Sequence, residues 1–251
     1  MRAVREKQSL VTGLVSGIAV LGAILIVVLF LFYPVETGRL GLGTRATLGS
    51  VGTLLLVGGI RPFLPWFSRQ SLVYPLLVGV ALAAISPWYF LIYLPAHAGE
   101  GLVGEQLASS MITENTSNGI VEVGFAYPIF TPTVSLRNDG IFTREVDIYL
   151  RMLDGNNEPA LFRAVRADLP DARLSVEASV RGLLSQSRGF LFIPVAIPPG
   201  NTVQGRVVFI ISDLNDGSTF DEALGRSYPA EFQVRDSASG ELVASFPMTS
   251  I

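Results

Sequence analysis

The densest group of chemistry-bearing side chains in the sequence is Asp213, Asn215, Asp216 and Asp221, in the run DLNDGSTFDE. Oxygen donors at this density suit Ca²⁺, which takes six to eight of them. Against a helix–loop–helix calcium loop, however, Gly217 comes one position early and the closing acid falls at the wrong spacing. The expected reading is a solvated loop between strands, with these four residues as the weak metal candidate. His97 is the only histidine, and no cysteine or second histidine exists to complete a transition-metal site. A serine–histidine pair would have to use it, and the chain lacks the GxSxG elbow that would meet it. The absence of cysteine removes disulfides, thiolate metal sites, cysteine nucleophiles and iron–sulfur clusters together. No glycine-rich phosphate loop, helix-borne carboxylate pair or basic-aromatic platform is present. No catalytic residue and no cofactor are expected: the sequence reads as a non-enzyme.

The elements that position these groups divide by charge. Residues 1–97 carry seven basic side chains against two acidic ones, Glu6 and Glu36, whereas residues 98–251 carry eleven against nineteen. A basic apolar half and an acidic polar half exclude nucleic acid as a partner, since that would need a basic face outside the lipid. The partners this composition does imply are the lipid bilayer and a membrane or envelope protein. Lys7 is the only lysine among 18 basic residues. Together with the missing disulfides this favours a prokaryotic source, either GC-rich or salt-adapted.

Residues 1–97 read as a transmembrane anchor with spans at 10–33, 46–67 and 71–94. The last run, SLVYPLLVGVALAAISPWYFLIYL, has no formal charge and is long enough to cross about 30 Å of hydrocarbon as a helix. The first is too long for a signal-peptide core and is followed by no cleavage pattern. On it, Gly13 and Gly17 form a small-xxx-small pair suited to close helix packing. The middle segment is ambiguous, because its clean apolar part covers only residues 47–60. It is either a full span whose end lies in the interface, or a re-entrant segment; the full span is favoured. On that reading Arg61 snorkels to the headgroups and Trp66 joins an aromatic belt, as do Trp88 and Tyr93 on the last span. Pro75 and Pro87 are expected to bend that span.

Three spans fix the expected topology. Arg2, Arg5 and Lys7 precede the first span, Arg61 and Arg69 flank the second turn, and no basic residue follows Leu94 until Arg137. The positive-inside rule then puts the N-terminus in the cytoplasm and the C-terminal domain outside, with Arg39 and Arg45 as dissenting charges. Asn115-Thr116-Ser117 fits a glycosylation acceptor, which matters only on the outside.

Residues 98–118 read as a connector, with a short surface helix over 102–113, and residues 119–251 as an extracytoplasmic β domain. Val146, Ile148, Leu150 and Met152 alternate with Glu145, Asp147, Tyr149 and Arg151, the clearest half-buried strand. Leu174, Val176, Ala178 and Val180 alternate again, and residues 190–197 form an apolar run broken by Pro198-Pro199-Gly200-Asn201. Asp139-Gly140 and Asp154-Gly155 mark turns. Residues 125–133, FAYPIFTPT, offer either a partner-docking aromatic patch or, more simply, a core strand ending in a proline corner. About eight or nine short strands at this spacing indicate an antiparallel immunoglobulin-like sandwich.

The runs VSLRNDGIFTREVDIYLRMLDGN and IPPGNTVQGRVVFII, within residues 120–211, resemble the strand–turn–strand pattern of immunoglobulin-like modules in membrane-anchored prokaryotic surface proteins, of the cell-adhesion-related kind. They are also similar to late-embryogenesis-abundant type 2 domains. Either resemblance implies a binding or structural role and supplies no catalytic motif. The expected function is therefore a membrane protein that presents an external immunoglobulin-like domain for a structural, adhesion or protein-interaction role. The alternative is an accessory subunit of a larger transport or respiratory-type membrane complex.

Overall fold

A computed structural model of the 251-residue chain describes residues 2–63, 73–112, 116–117, 122–123, 128–168, 176–185, 189–226 and 228–249. The chain divides into two units, Met1–Ala98 and Gly99–Ile251.

The first unit is helical. It comprises α1 (Arg2–Phe32), a short α2 (Pro34–Arg39), α3 (Leu42–Ile60) closed by a 3₁₀ turn at Arg61–Phe63, and a last helical run α4 (Val73–His97). Among the described residues, three stretches are long and apolar enough to cross a membrane: Thr12–Phe32, Leu42–Phe63 and Val73–His97. Most of their large apolar side chains are exposed, as lipid-facing helices require. This is a membrane-helix protein with an attached β-rich unit. In α4 the two prolines do not interrupt the run; Trp88–Tyr93 instead forms a π-helical turn just after Pro87.

The second unit is built mainly from strands: β1 (Leu102–Ala108), β2 (Met111–Ile112), β3 (Thr116–Ser117), β4 (Glu122–Val123), β5 (Ile129–Phe130), β6 (Thr133–Asn138), β7 (Arg144–Leu153), β8 (Pro159–Arg163), β9 (Phe190–Leu191), β10 (Val195–Ile197), β11 (Thr202–Val207), β12 (Phe209–Ile210), β13 (Ala230–Asp236) and β14 (Leu242–Pro247). One sheet runs β1-β6-β11-β9. Its first three strands continue, in the same order, as the small sheet β2-β5-β12 beyond the break at Thr131-Pro132. The other main sheet runs β10-β7-β13-β14, with β8 also on β7, and β3 pairs β4. The inward residues Val134, Leu136 and Val207 of the first sheet share one core with Val146, Ile148, Leu150, Phe232 and Val234 of the second. The expected strand at β7 is present, with strict alternation of buried residues.

Several expectations are corrected. Residues 102–108 form an edge strand paired with β6, not a surface helix. Local propensity there lost to sheet pairing: a Cβ on Gly104 would collide with the Phe246 ring, so glycine lets β1 lie against β14. The β unit is not all-β, because Val176–Leu184 (α5) and Phe220–Gly225 (α6) are helical. The alternation read at Val176, Ala178 and Val180 also fits a four-residue spacing, and Val180 and Leu184 bury against Ile129, Val165 and Val208. Leu174 lies outside the described residues. The pairing is not wholly antiparallel either, since β9 runs parallel to β11. The run 190–197 is two strands separated at Phe192–Pro194. The architecture is a mixed one of three membrane-length helices, further short helices and a β-rich unit.

Candidate functional site

In the helical unit the glycines decide the packing. A Cβ on Gly59 would meet Val20 Cγ2 at 2.7 Å and the Ser16 carbonyl at 2.9 Å; one on Gly52 would meet Ile26 at 3.3 Å. Gly22 lies against Leu55, 3.4 Å from its would-be Cβ. These pairs run in opposite directions along α1 and α3, so the two helices are antiparallel. On the other side of α3, Gly49 abuts Ser86, Ser50 Oγ donates to the Ala83 carbonyl at 2.9 Å, and Ser86 Oγ donates to the Ala46 carbonyl at 3.0 Å. Small residues thus let the backbones approach and let hydroxyls cross between helices. Gly13 and Gly17 are not part of this seam: a Cβ on either would meet nothing within 4 Å among the described residues. The sequence reading singled out the pair with the helical spacing and missed Gly49, Gly52 and Gly59. Their signal was density, since α3 carries five glycines in 19 residues: Gly43, Gly49, Gly52, Gly58 and Gly59.

The aromatic residues expected at the interface lie in the second half of α4. Trp88 and Tyr93 are exposed, and the π-helical turn brings these residues, five apart, to 5.4 Å between ring centroids. Tyr89, Tyr93 and His97 stack in turn at 5.7 and 4.1 Å, and His97 Nδ1 lies 2.9 Å from the Tyr93 carbonyl. His97 therefore belongs to an aromatic ladder along the end of α4. Arg61 begins the 3₁₀ turn at the end of α3; its Nε is buried without a hydrogen-bond partner among the described residues. Trp66 and Asn115 lie outside the described residues, as do Phe125 to Tyr127 of the aromatic-proline run; Ile129 and Phe130 of that run are fully buried. The two dissenting arginines are engaged locally. Arg39 pairs with Glu36 at 3.4 Å, and Arg45, only 3% exposed, donates to the carbonyls of Leu40 and Gly38.

The oxygen-rich loop resolves into a turn and a helix cap. Gly217, at φ +80°, permits a tight turn in which its N–H donates to the Leu214 carbonyl. Asp216 Oδ1 accepts from the Ser218 N–H at 2.9 Å and from the Ser218 hydroxyl; Oδ2 accepts from the Gly155 N–H at 2.9 Å and the Tyr228 hydroxyl at 3.2 Å. Thr219 caps α6 through a reciprocal box with Glu222, and Asp221 occupies the first helical turn. Asp213, Asn215 and Asp221 are exposed. Among the described residues, no three acidic or histidine side chains gather where they could hold a metal. Asp216 is thus a staple between this loop and the β7–β8 turn. Asn138 does the same elsewhere: fully buried, it donates to the Phe142 and Ile197 carbonyls and accepts from the Gly140 N–H.

The Ser218 hydroxyl, then the backbone N–H groups of Ser218 and Gly155, hold the Asp216 carboxyl well below the usual carboxylate range. A carboxyl depressed in the folded state stabilises fully above its unfolded pKa of about 3.9, and the contribution disappears as pH falls through the lower folded value. Asp216→Asn is therefore expected to lower the melting temperature of the β unit at pH 7, with the gap to the native chain closing below about pH 4. Thermal unfolding across pH 2–7 checks this; a gap independent of pH would show that the charge is irrelevant. Asp236 is lowered in the same direction, chiefly by the Ser239 N–H and hydroxyl, and adds to the same acid lability.

No family model and no curated protein matches the chain. Among solved structures, the Pseudomonas fluorescens alkylpurine DNA glycosylase AlkC bound to DNA containing an abasic site analog aligns at 11% identity and a TM-score of 0.27. The alignment covers 79% of this chain and 46% of that one, so the chain spans under half the length of the glycosylase. A likeness at this level carries no argument about fold or activity.

Proposed function

We propose that the chain is a non-enzymatic multi-pass membrane protein. Its three-helix anchor has the N-terminus in the cytoplasm and presents the β-rich unit outside, for a structural, adhesion or protein-interaction role. The observation that carries this reading is the odd number of membrane-length helices followed by a stretch without basic residues, from Leu94 to Arg137. The local pairing of Arg39 and the burial of Arg45 weaken the two charges that opposed this orientation. Two sheets around one core, locked by Asn138, support an immunoglobulin-like reading of the external unit. The engagement of Asp216 and Asn138 in turns supports a role without catalysis.

The test uses the absence of native cysteine. Ser239 is exposed in the β13–β14 turn, and Ser239→Cys is expected to react with a membrane-impermeant maleimide in intact cells. Labelling only after the cytoplasm is opened would invert the topology. A second reading, an accessory subunit of a larger membrane complex, is favoured by one feature: Gly13 and Gly17 present small residues on α1 whose would-be Cβ atoms meet nothing within 4 Å among the described residues.

A further inference from the structure

We infer that the cleft between α3 and α4 beside Arg61 is a binding site for one anionic phospholipid, its phosphate on the Arg61 guanidinium and its acyl chain along the groove. The cleft has a volume of about 280 Å³ and is lined by Leu54, Val57, Gly58, Pro75 and Gly79, with Arg61 as its one charged group. A Cβ on Gly58 would meet nothing within 4 Å, so the groove floor is open at that position. The inference rests on the chain being membrane-embedded, as proposed above, but not on which way round it sits.

The argument is one of missing charge. Arg61 lies two residues from the end of the membrane-length stretch Leu42–Phe63, where the membrane reading puts the boundary between hydrocarbon and headgroups. Its Nε is buried, and no acceptor among the described residues reaches it. Residues 1–97 contain two carboxylates to neutralise seven cations. Glu36 is paired with Arg39. Glu6 is on α1, where Gly59 lies against Ser16 and Val20. The antiparallel register places Arg61 level with about Ser16, and the helical rise puts position 6 a further ~15 Å along the axis. A guanidinium in this position needs an oxyanion, and its planar fork of donors fits phosphate oxygens at two points. The groove running from it, walled by leucine, valine and proline and floored by glycine, accepts a hydrocarbon chain rather than a second polar group. Charge and shape together select a lipid phosphate over a free one.

The experiment is native mass spectrometry of the full chain, released from mild detergent after exposure to equal amounts of phosphatidylglycerol and phosphatidylcholine. The expected result is retention of one phosphatidylglycerol in preference to phosphatidylcholine. Loss of the charge-assisted contacts in Arg61→Gln should reduce that retention by about tenfold, while Arg61→Lys keeps part of it. Gly58→Leu leaves the charge in place and fills the groove, and should also reduce retention. Inorganic phosphate at millimolar concentration should not compete. Undiminished retention in both Arg61→Gln and Gly58→Leu, or equal retention of the two lipids, would overturn the site; competition by inorganic phosphate would assign it to a free anion instead. Alkaline carbonate extraction separates the two failures: release of the chain into the soluble fraction defeats the membrane reading itself, whereas a membrane-retained chain without lipid defeats only this inference.

Discussion

Phe232→Ala should unfold or nearly unfold the β-rich unit while leaving the helical unit intact. Phe232 is fully buried on β13, between Leu150 of β7 and Phe246 of β14 in the register of the sheet. Its ring lies 5.2 Å from Phe246, 6.0 Å from Phe209 and 6.4 Å from Phe130, and Phe130 in turn sits 5.3 Å from Phe220. Phe130, Phe209 and Phe220 come from the small sheet and α6, so the substitution opens a cavity where several elements meet. Truncating a buried phenylalanine costs about 3–5 kcal/mol, its lost ring pairs included. Against a domain stability of roughly 5–15 kcal/mol this is a large fraction. Hydrogen exchange of β7 and β13 amides in the full chain is the suitable measurement, because both tryptophans, Trp66 and Trp88, lie in the helical half. Leu161→Ala, at a half-exposed position on β8, is the matched control and should change stability by about 0.5 kcal/mol or less. If Phe232→Ala protected β13 as well as the control does, the aromatic cluster would not be the centre of this core.

What could be read from residues alone follows from how local the signal is. The three apolar runs are local, and lipid accepts only closed hydrogen-bonding segments, so length and hydropathy sufficed. The ambiguous middle run became a 19-residue helix because neither Arg61 nor Pro62 interrupts it before Ile60. Strand β7 was equally plain, since every second residue faces one core. Residues 102–108 were not, because their helical composition says nothing of β6, the partner some thirty positions later that makes them a strand. Residues 176–184 failed for the opposite reason: valines at 176 and 180 satisfy periods of two and of four alike, and only the burial of Val180 and Leu184 decides. The loop at 213–222 shows the limit for chemistry. Composition displayed its oxygens, but whether they converge on a cation or turn back on backbone N–H groups depends on Gly155 and Tyr228, which no spacing rule connects to Asp216. Arg61 was legible as a cation near the end of the middle apolar run; that its Nε meets no acceptor among the described residues required the packing of the helices.

That same packing sets the largest expected effect in the helical unit. Gly59→Leu should separate α1 from α3. A Cβ there would lie 2.9 Å from the Ser16 carbonyl oxygen and 3.0 Å from the Val20 nitrogen, which are backbone atoms that cannot rotate away, as well as 2.7 Å from Val20 Cγ2. Helix axes pack about 8–10 Å apart, and in lipid no hydrophobic drive compensates for lost van der Waals contact. Overpacking of this kind costs about 1–3 kcal/mol for the first methyl group alone, and the rest of a leucine side chain adds to it. Titration of the full chain with SDS, followed by tryptophan fluorescence, reports the helical half because Trp66 and Trp88 are its only sources. The midpoint should fall markedly for Gly59→Leu, modestly for Gly59→Ala and hardly at all for Gly13→Leu, whose added side chain enters open space. An unchanged midpoint in Gly59→Leu would mean that α1 and α3 are not held at this contact. The Gly13 variant has a second use. If it folds normally yet loses a protein that co-purifies with the native chain in mild detergent, the unused glycine face of α1 is where a larger membrane partner packs; if co-purification survives both Gly13→Leu and Gly17→Leu, that face meets lipid and the accessory-subunit reading loses its support.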